Sequence, residues 1–532
     1  MLIHIHSAKC VGIDAQPVTV EVDVTRGIGI HLVGLADVAV KESLLRTVTA
    51  LQALGFHIPG RKIVINLAPA DMHKNGGGYD LPIALGILAA SGQKELPGLE
   101  KYLIMGELGL DGSVRPVPGA ISFLDLADEM ALDGCLLPEA SAWEAAECGG
   151  PPVFGVTSLL DAVRILDGEP GYEDFRIDGR RIPDQEMRGT VSANRRSDIM
   201  DFSQVIGQEG AKRGLEIAAA GGHNVIMVGP PGSGKSSLAK AMSGILPPLT
   251  REEAMITSKI YSVAGSGDLR RGLLRERPFR APHYSASMAA VIGGGAGGEI
   301  RPGEVTLAQN GILFLDEFGQ IPKAVLEALR GPMEDRTVTI SRMRAKVSFP
   351  ASFMLVAASN PCPCGYYGEG DRCNCTPAQR ARYMAHLSGP VMDRIDLQLL
   401  VHSLPASQLV ARPDRTAERE TSAQVAERVA RAREIQQRRF AGSGIYTNAE
   451  MPARLIERYC QLSGECRELL ERILSQMGLS ARAYSRILKV SRTIADLESV
   501  SAGGDGSLNL QPRHLLEAAS YRFLDRKDLL ET

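Results

Sequence analysis

The octapeptide GPPGSGKS at residues 229–236 leaves a chain little freedom, because it can work only between a strand and a helix. Here it follows the apolar run NVIMV and opens the helix-forming SSLAKAM, so strand, glycine-rich turn and helix are predicted in that order. A turn built from Gly229, Pro230, Pro231, Gly232, Ser233 and Gly234 can cradle phosphates with its backbone N–H groups, helped by the helix N-terminus at Lys235, Ser236 and Ser237. Lys235 can reach the β and γ phosphates, and Ser236 can ligate magnesium.

The surrounding text agrees with an α/β fold. Between residues 201 and 405 short apolar strands (NVIMV, ILFLD, FMLVAAS, LQLLV) alternate with helical segments, as in a parallel sheet covered on both faces. Residues 1–167 read as a smaller α/β domain, with VTVEVDV and KIVINLA as strands and VAVKESLLRTVTALQAL as a helix. Residues 168–200 carry charges, Gly and Pro with little apolar periodicity and read as a linker. Residues 406–532 are dominated by long charged helical patterns, a helical lid. A length of 532 residues suits several domains, and 44% hydrophobic with 23% charged residues excludes both wholesale disorder and a membrane-embedded chain. The start, MLIHIHSAKC, has no basic segment ahead of a long apolar run, which places the protein in the cytoplasm with no membrane partner.

Downstream of the turn, ILFLDE ends a strand with Asp316 and Glu317, so both carboxylates emerge at the strand's C-terminal edge, where α/β sheets bind nucleotides. Asp316 would complete the magnesium shell and Glu317 would orient and activate water. FMLVAAS ends in Asn360, an amide suited to hold the attacking water or the γ phosphate. MDRIDL places Arg394 just before a further strand, and SARAYSRIL places Arg482 at the start of a lid helix.

This order resembles the AAA+ ATPases. The stretches FRAPHYSASMAAVIGGG, RPGEVTLAQNGILFLDE and AASNPCPCGYYG narrow the resemblance to the magnesium-chelatase-like branch and, within it, to the YifB/ComM family. The resemblance implies ATP and magnesium as cofactors, a homohexameric ring, and a helicase that promotes branch migration while transforming DNA is integrated. It also implies that Arg394 is a finger presented to the neighbouring subunit's ATP and Arg482 a lid sensor of its own subunit's nucleotide. A metal-insertion ATPase like the chelatase motor and a polypeptide-remodelling ring are the rival readings.

DMHKNGGGYDLPIALGIL and GELGLDGSVRPVPGA resemble the proteolytic domain of Lon and its relative in the recombination protein RadA. Where Lon has its nucleophilic serine this chain has Gly78, and the catalytic lysine's place falls near Ile121, so no acyl chemistry is expected. By the same resemblance the domain serves ring assembly or DNA contact, and chelatase motor subunits are expected to lack it.

Of nine cysteines, Cys362, Cys364, Cys373 and Cys375 cluster, and four thiolates across such a turn can converge on a structural zinc with no open coordination position. The net charge is only −3, so any site for nucleic acid must be local. Two runs qualify: LRRGLLRERPFR, with five arginines against one glutamate, and RTVTISRMRAK, which alternates like a hairpin and carries Arg342, Arg344 and Lys346 with no acid. In related AAA+ rings both insertions point into the pore, where such charge would grip the backbone of single-stranded or branched DNA.

Overall fold

The structure, a computed structural model, describes residues 1–34, 38–74, 76–179, 200–266, 272–295, 300–342, 345–387, 391–403, 419–504, 506 and 508–525. The N-terminal part is built on strands β1 (Leu2–Val11), β2 (Asp14–Thr25), β3 (Gly29–Val33), β4 (Lys62–Ala68), β5 (Tyr102–Ile104), the short pair β6 (Glu107–Leu108) and β7 (Val114–Arg115), then β8 (Gly134–Pro138) and β9 (Val153–Val156). Seven of these form one sheet in the order β3-β4-β2-β1-β5-β8-β9. In β2 the alternation predicted from VTVEVDV is real: Val18, Val20, Val22 and Val24 are buried, while Thr19, Glu21 and Asp23 lie on the more open face. The helix Asp80–Ala90 is buried along its whole length, which its uninterrupted apolar run requires.

The linker begins later than the composition suggests. Residues 168–179 belong to the N-terminal domain: the Ile177 amide donates to the Val153 carbonyl at 2.9 Å and the Tyr172 ring lies 6.1 Å from that of Phe154. A few apolar residues in a polar, glycine-containing stretch were enough to seal the open edge of β9.

The central part holds β10 (Val225–Val228), β11 (Phe279–Arg280), the short pair β12 (Gly293–Gly294) and β13 (Arg301–Pro302), β14 (Ile312–Leu315), the hairpin β15 (Thr337–Arg342) and β16 (Ala345–Pro350), β17 (Met354–Ser359) and β18 (Leu397–Leu400). A five-stranded parallel sheet runs β11-β14-β17-β10-β18. Every residue of β10, β14 and β17 is buried, the reason these strands read as unbroken apolar runs.

The C-terminal helices Ser422–Arg439, Ala453–Tyr459, Gly464–Met477, Ala481–Ser501 and Pro512–Ser520 do not enclose a separate core. Val429 and Ile494 are buried together with Leu215 and Ala218 of the helix Glu209–Gly221 and with Met227 of β10, so lid and sheet share one apolar interior. The N-terminal domain is joined to the centre through the helix Arg251–Ala264: Ser262 Oγ donates to Glu144 at 2.9 Å, and the Gly119 amide donates to the Ser262 carbonyl at 3.0 Å. A second junction is the β1–β2 turn. A side chain at Gly12 would meet the Ser348 carbonyl and Val347 Cγ1 of β16, each at 3.2 Å from the Cβ position, and Val11 and Ile13 pack on the cluster that contains Val347. Among the described residues no helix is long and apolar enough to cross a membrane.

Candidate nucleotide-binding site

All five central strands are parallel, so whatever follows each strand gathers at one edge of the sheet. The turn 229–234 follows β10, Asp316 and Glu317 follow β14, and Asn360 follows β17. They line a cavity of about 430 Å³ together with Ser236 and Ser237. Gly232 and Gly234 have φ of +77° and +92°, and a Cβ at either would meet nothing within 4 Å, so the cradle is open toward the cavity. Lys235 Nζ donates to the carbonyls of Gly229 and Pro230 at 2.7 and 2.8 Å and approaches Asn360 Oδ1 at 3.4 Å. Burial pushes this ammonium below its ordinary pKa, partly offset by the Asp316 carboxylate, so a phosphate would be a strongly preferred partner. The Ser233 hydroxyl is buried and makes no hydrogen bond among the described residues. Ser236 Oγ donates to Asp316 Oδ2 at 2.8 Å, which puts the two expected magnesium ligands side by side. Glu317 is exposed, with a left-handed backbone at φ 49° that turns its side chain away from the sheet interior. These residues fit a magnesium nucleoside triphosphate: an open N–H cradle, a desolvated cation, an orphaned hydroxyl and a free carboxylate.

Arg394 and Arg482 are not at this edge. Asn224, just ahead of β10, donates from Nδ2 to the Arg394 carbonyl at 3.0 Å, and Leu397 of β18 pairs with Val225. Arg394 therefore sits beyond the N-terminal ends of the strands, about 13 Å of strand away from the phosphate turn. Arg482 Nη1 donates to Asp393 at 2.9 Å, and both arginines line a second, larger cavity of about 790 Å³ that shares no residue with the first. Within one subunit Arg482 therefore lies away from the phosphate turn, where a lid sensor of its own nucleotide was expected; the lid packs against the opposite edge of the sheet, because its helices complete the core beside β10 and β18.

Sequence reasoning missed the groups around Arg394, whose guanidinium pairs with Glu334. Asp396 is buried; desolvation opposes its ionisation, but the Arg486 guanidinium and His223 hold its carboxyl well below the usual range. Asn224 ties three strands together: its amide N–H donates to Asp396 at 3.2 Å and its Oδ1 accepts from the Leu355 amide at 2.8 Å. The available signal was a second carboxylate two residues after Arg394 in MDRID, followed by an apolar strand.

The four clustered cysteines converge. Their Sγ atoms all lie within 4.8 Å of one another, with Cys362 at 3.3 and 3.8 Å from Cys364 and Cys373. A tetrahedral zinc with bonds of about 2.3 Å requires sulfur separations near 3.8 Å; three of the pairs here lie at 3.3 to 3.8 Å and none is beyond 4.8 Å. The turn abuts the phosphate loop: a Cβ at Gly365 would lie 2.7 Å from Pro231 Cδ and 3.7 Å from Asn360 Cγ.

In the N-terminal domain Gly78 offers no side chain to act as nucleophile. A Cβ there would lie 2.9 Å from Met105 Cε, the movable tip of a flexible side chain, while Ile121 is wholly buried. The basic runs also divide. Arg277 is bonded to Glu253 at 2.8 Å and to backbone carbonyls, Arg280 is bonded to Glu304 and Arg275 to Glu147, so these arginines brace the fold and do not form a cationic surface. Arg270 and Arg271 lie outside the described residues. RTVTISRMRAK does form a hairpin, with Arg342 paired to Ala345 in register and Lys346 exposed; Arg344 lies outside the described residues.

Residues 201–409 match the family described as magnesium chelatase, subunit ChlI; residues 20–141 match that described as subunit ChlI of Mg-chelatase, and residues 419–522 the ChlI C-terminal family. The chain is 42% identical to YifB of Salmonella typhimurium over 523 residues, 98% of this chain and 97% of that one. It is equally 42% identical, over the same shares of both chains, to the competence protein ComM of Haemophilus influenzae. A more distant similarity, 25% over 357 residues, spans 63% of this chain and 38% of the DNA replication licensing factor Mcm6 of Anopheles gambiae.

Proposed function

Because the chain belongs to the magnesium chelatase ChlI family together with YifB and ComM, we propose that it is an ATP-hydrolysing homohexameric motor that moves single-stranded or branched DNA, promoting branch migration as transforming DNA is integrated. The observation that carries this reading is the division of the catalytic set between two edges of one sheet. Lys235, Ser236, Asp316, Glu317 and Asn360 form one half, and Arg394 with Arg482 the other, so a complete site needs two subunits. In the assembled site Lys235 neutralises phosphate charge, Ser236 and Asp316 hold the metal, Glu317 takes the proton of the attacking water, and Asn360 orients that water. Arg394 and Arg482 of the adjoining copy offset the charge that develops as the phosphoryl group leaves.

DNA is the substrate this reading requires of the hairpin β15–β16, which has no carboxylate between residues 337 and 350. If Arg342, Arg344 and Lys346 neutralise phosphates, each contributes about 0.7 to 0.9 to the slope of log affinity against log salt. Replacing all three by alanine should flatten the slope by about 2 to 3 and abolish strand movement in a labelled-junction assay, with nucleotide binding retained. An unchanged slope with intact migration would remove the hairpin from the DNA path. The chelatase-like alternative draws on the family descriptions; ATP turnover that responds to a metal-free porphyrin and ignores branched DNA would favour it.

Zinc is proposed as a structural cofactor of the four-cysteine turn, which bears on Pro231 and Asn360. Binding at such sites is worth about 10 to 16 kcal/mol in zinc-finger peptides, so the metal should survive purification. Elemental analysis of protein prepared without added metal should give one zinc per chain; less than about a tenth of an equivalent would refute the site.

A further inference from the structure

The segment after β11 takes no part in the nucleotide site, yet it displays aromatic rings to solvent. His283 and Tyr284 are both exposed, with ring centroids 4.3 Å apart and planes inclined by 35°. Their presentation is local and ordered: His283 Nδ1 and Ser285 Oγ are hydrogen-bonded at 2.7 Å, and the Ala286 amide donates to the His283 carbonyl at 2.9 Å to close the turn. The chain then enters the short helix Met288–Ile292 and leaves it at Gly293, where a Cβ would lie 2.8 Å from Ile340 Cδ1 of β15. Val291 is buried in one cluster with Val338 and Ile340 of β15 and with Val347 and Phe349 of β16, and Ala286 and Ile292 pack on the same cluster. The aromatic turn and the basic hairpin therefore stand on one apolar foundation.

Two neighbouring rings left partly in water, Tyr284 at 36% exposure, forgo part of a burial worth about 25 cal/mol per Å² of apolar surface, and a partner with a flat face would recover it. Unpaired bases have such a face whatever their sequence, and they come attached to phosphates that suit the adjoining cations. We propose that His283 and Tyr284 form a stacking platform for the unpaired bases of single-stranded DNA whose backbone is held by the β15–β16 hairpin. This rests on the DNA-motor reading and adds the strandedness of its substrate: a duplex, with its bases already stacked, offers the rings nothing. A polypeptide could also use exposed rings, but it would gain nothing from a hairpin with three cations and no acid between residues 337 and 350.

The test compares an oligothymidine with an abasic strand of the same length, on the full chain. Changing His283→Ala together with Tyr284→Ala should weaken oligothymidine binding by about 10- to 100-fold while leaving its salt slope unchanged, because bases and not phosphates lose their contact. The abasic strand should bind wild type and variant alike. Tyr284→Phe, which keeps the ring, should bind as wild type does. Equal losses for both strands, or a flattened salt slope, would overturn the platform, as would an unaltered affinity. Nucleotide affinity reports that the variant is folded. Should it fail to fold, a strand carrying 2-aminopurine decides with wild type alone: stacking quenches the fluorescence, and an unquenched bound strand refutes the proposal. Wild type that binds no DNA would overturn the motor reading itself. A variant that loses unfolded casein but keeps DNA would assign the rings to polypeptide.

Discussion

An Arg394→Ala variant is expected to keep its affinity for ATP and to hydrolyse it about 10³- to 10⁵-fold more slowly, the range seen when an arginine finger is withdrawn. Binding survives because Arg394 lies at the far edge of the sheet from Lys235: its carbonyl accepts from Asn224 and its guanidinium pairs with Glu334, and none of the three lines the phosphate cavity. The defect should be curable by mixing. When Arg394→Ala and Lys235→Ala subunits assemble together, the interface that combines an intact Arg394 from one with an intact Lys235 from the other is complete, and turnover should reappear. The same experiment with Arg482→Ala separates two arrangements. If Arg482 served its own subunit, no mixed interface would hold a full set and activity would stay absent; its place beside Arg394 predicts rescue. Failure of both mixtures, in rings shown to contain both subunits, would end the intersubunit reading.

Glu317→Gln should bind ATP as wild type does and slow its hydrolysis by about 10²- to 10⁴-fold, since the amide keeps the shape but cannot accept the water's proton. Lys235→Ala should lose binding instead, because the ammonium already stripped of water inside the turn is the group that answers phosphate charge. Fluorescent-nucleotide titration and phosphate release measured on the same preparations distinguish the two. Glu317→Gln turning over at the wild-type rate would show that another group activates water, and the next carboxylate to examine would be Asp316, which is held by Ser236.

The first half of the nucleotide site was legible because it is local. Each of its residues directly follows an apolar strand, and parallel strands bring such positions together without further information. The second half was not, because its location depends on which face of the sheet the lid helices cover. That is decided by long-range packing, such as Ile494 against Leu215 and Met227, for which no short motif exists. Arg482 was legible as a position at a helix start, while its place beside Asp393 and Arg394 was not. Charge counting failed at the first basic run for a related reason: Arg277 and Arg280 find Glu253 and Glu304, 24 residues away in each case, and local composition cannot see such partners. At the cysteine turn the spacing was sufficient, since four ligands within 14 residues have few other ways to meet.

The β1–β2 turn at Gly12 changes what the first domain is for in mechanical terms. Gly12 has φ +70°, and with the Ser348 carbonyl and Val347 Cγ1 each only 3.2 Å from its Cβ position, any side chain would be strained in backbone and crowded against β16 at once. Val11 and Ile13 on either side bury themselves against the cluster beneath the hairpin. The hairpin is thus clamped between two bodies, one carrying the phosphate turn and the other the seven-stranded sheet. In the proposed motor, a force developed at the phosphate turn and delivered at Lys346 would either drag the seven-stranded sheet along or break the Gly12 seam on every cycle. In that motor the stiffness of the seam, and not the nucleotide pocket alone, would set how far the hairpin travels per ATP.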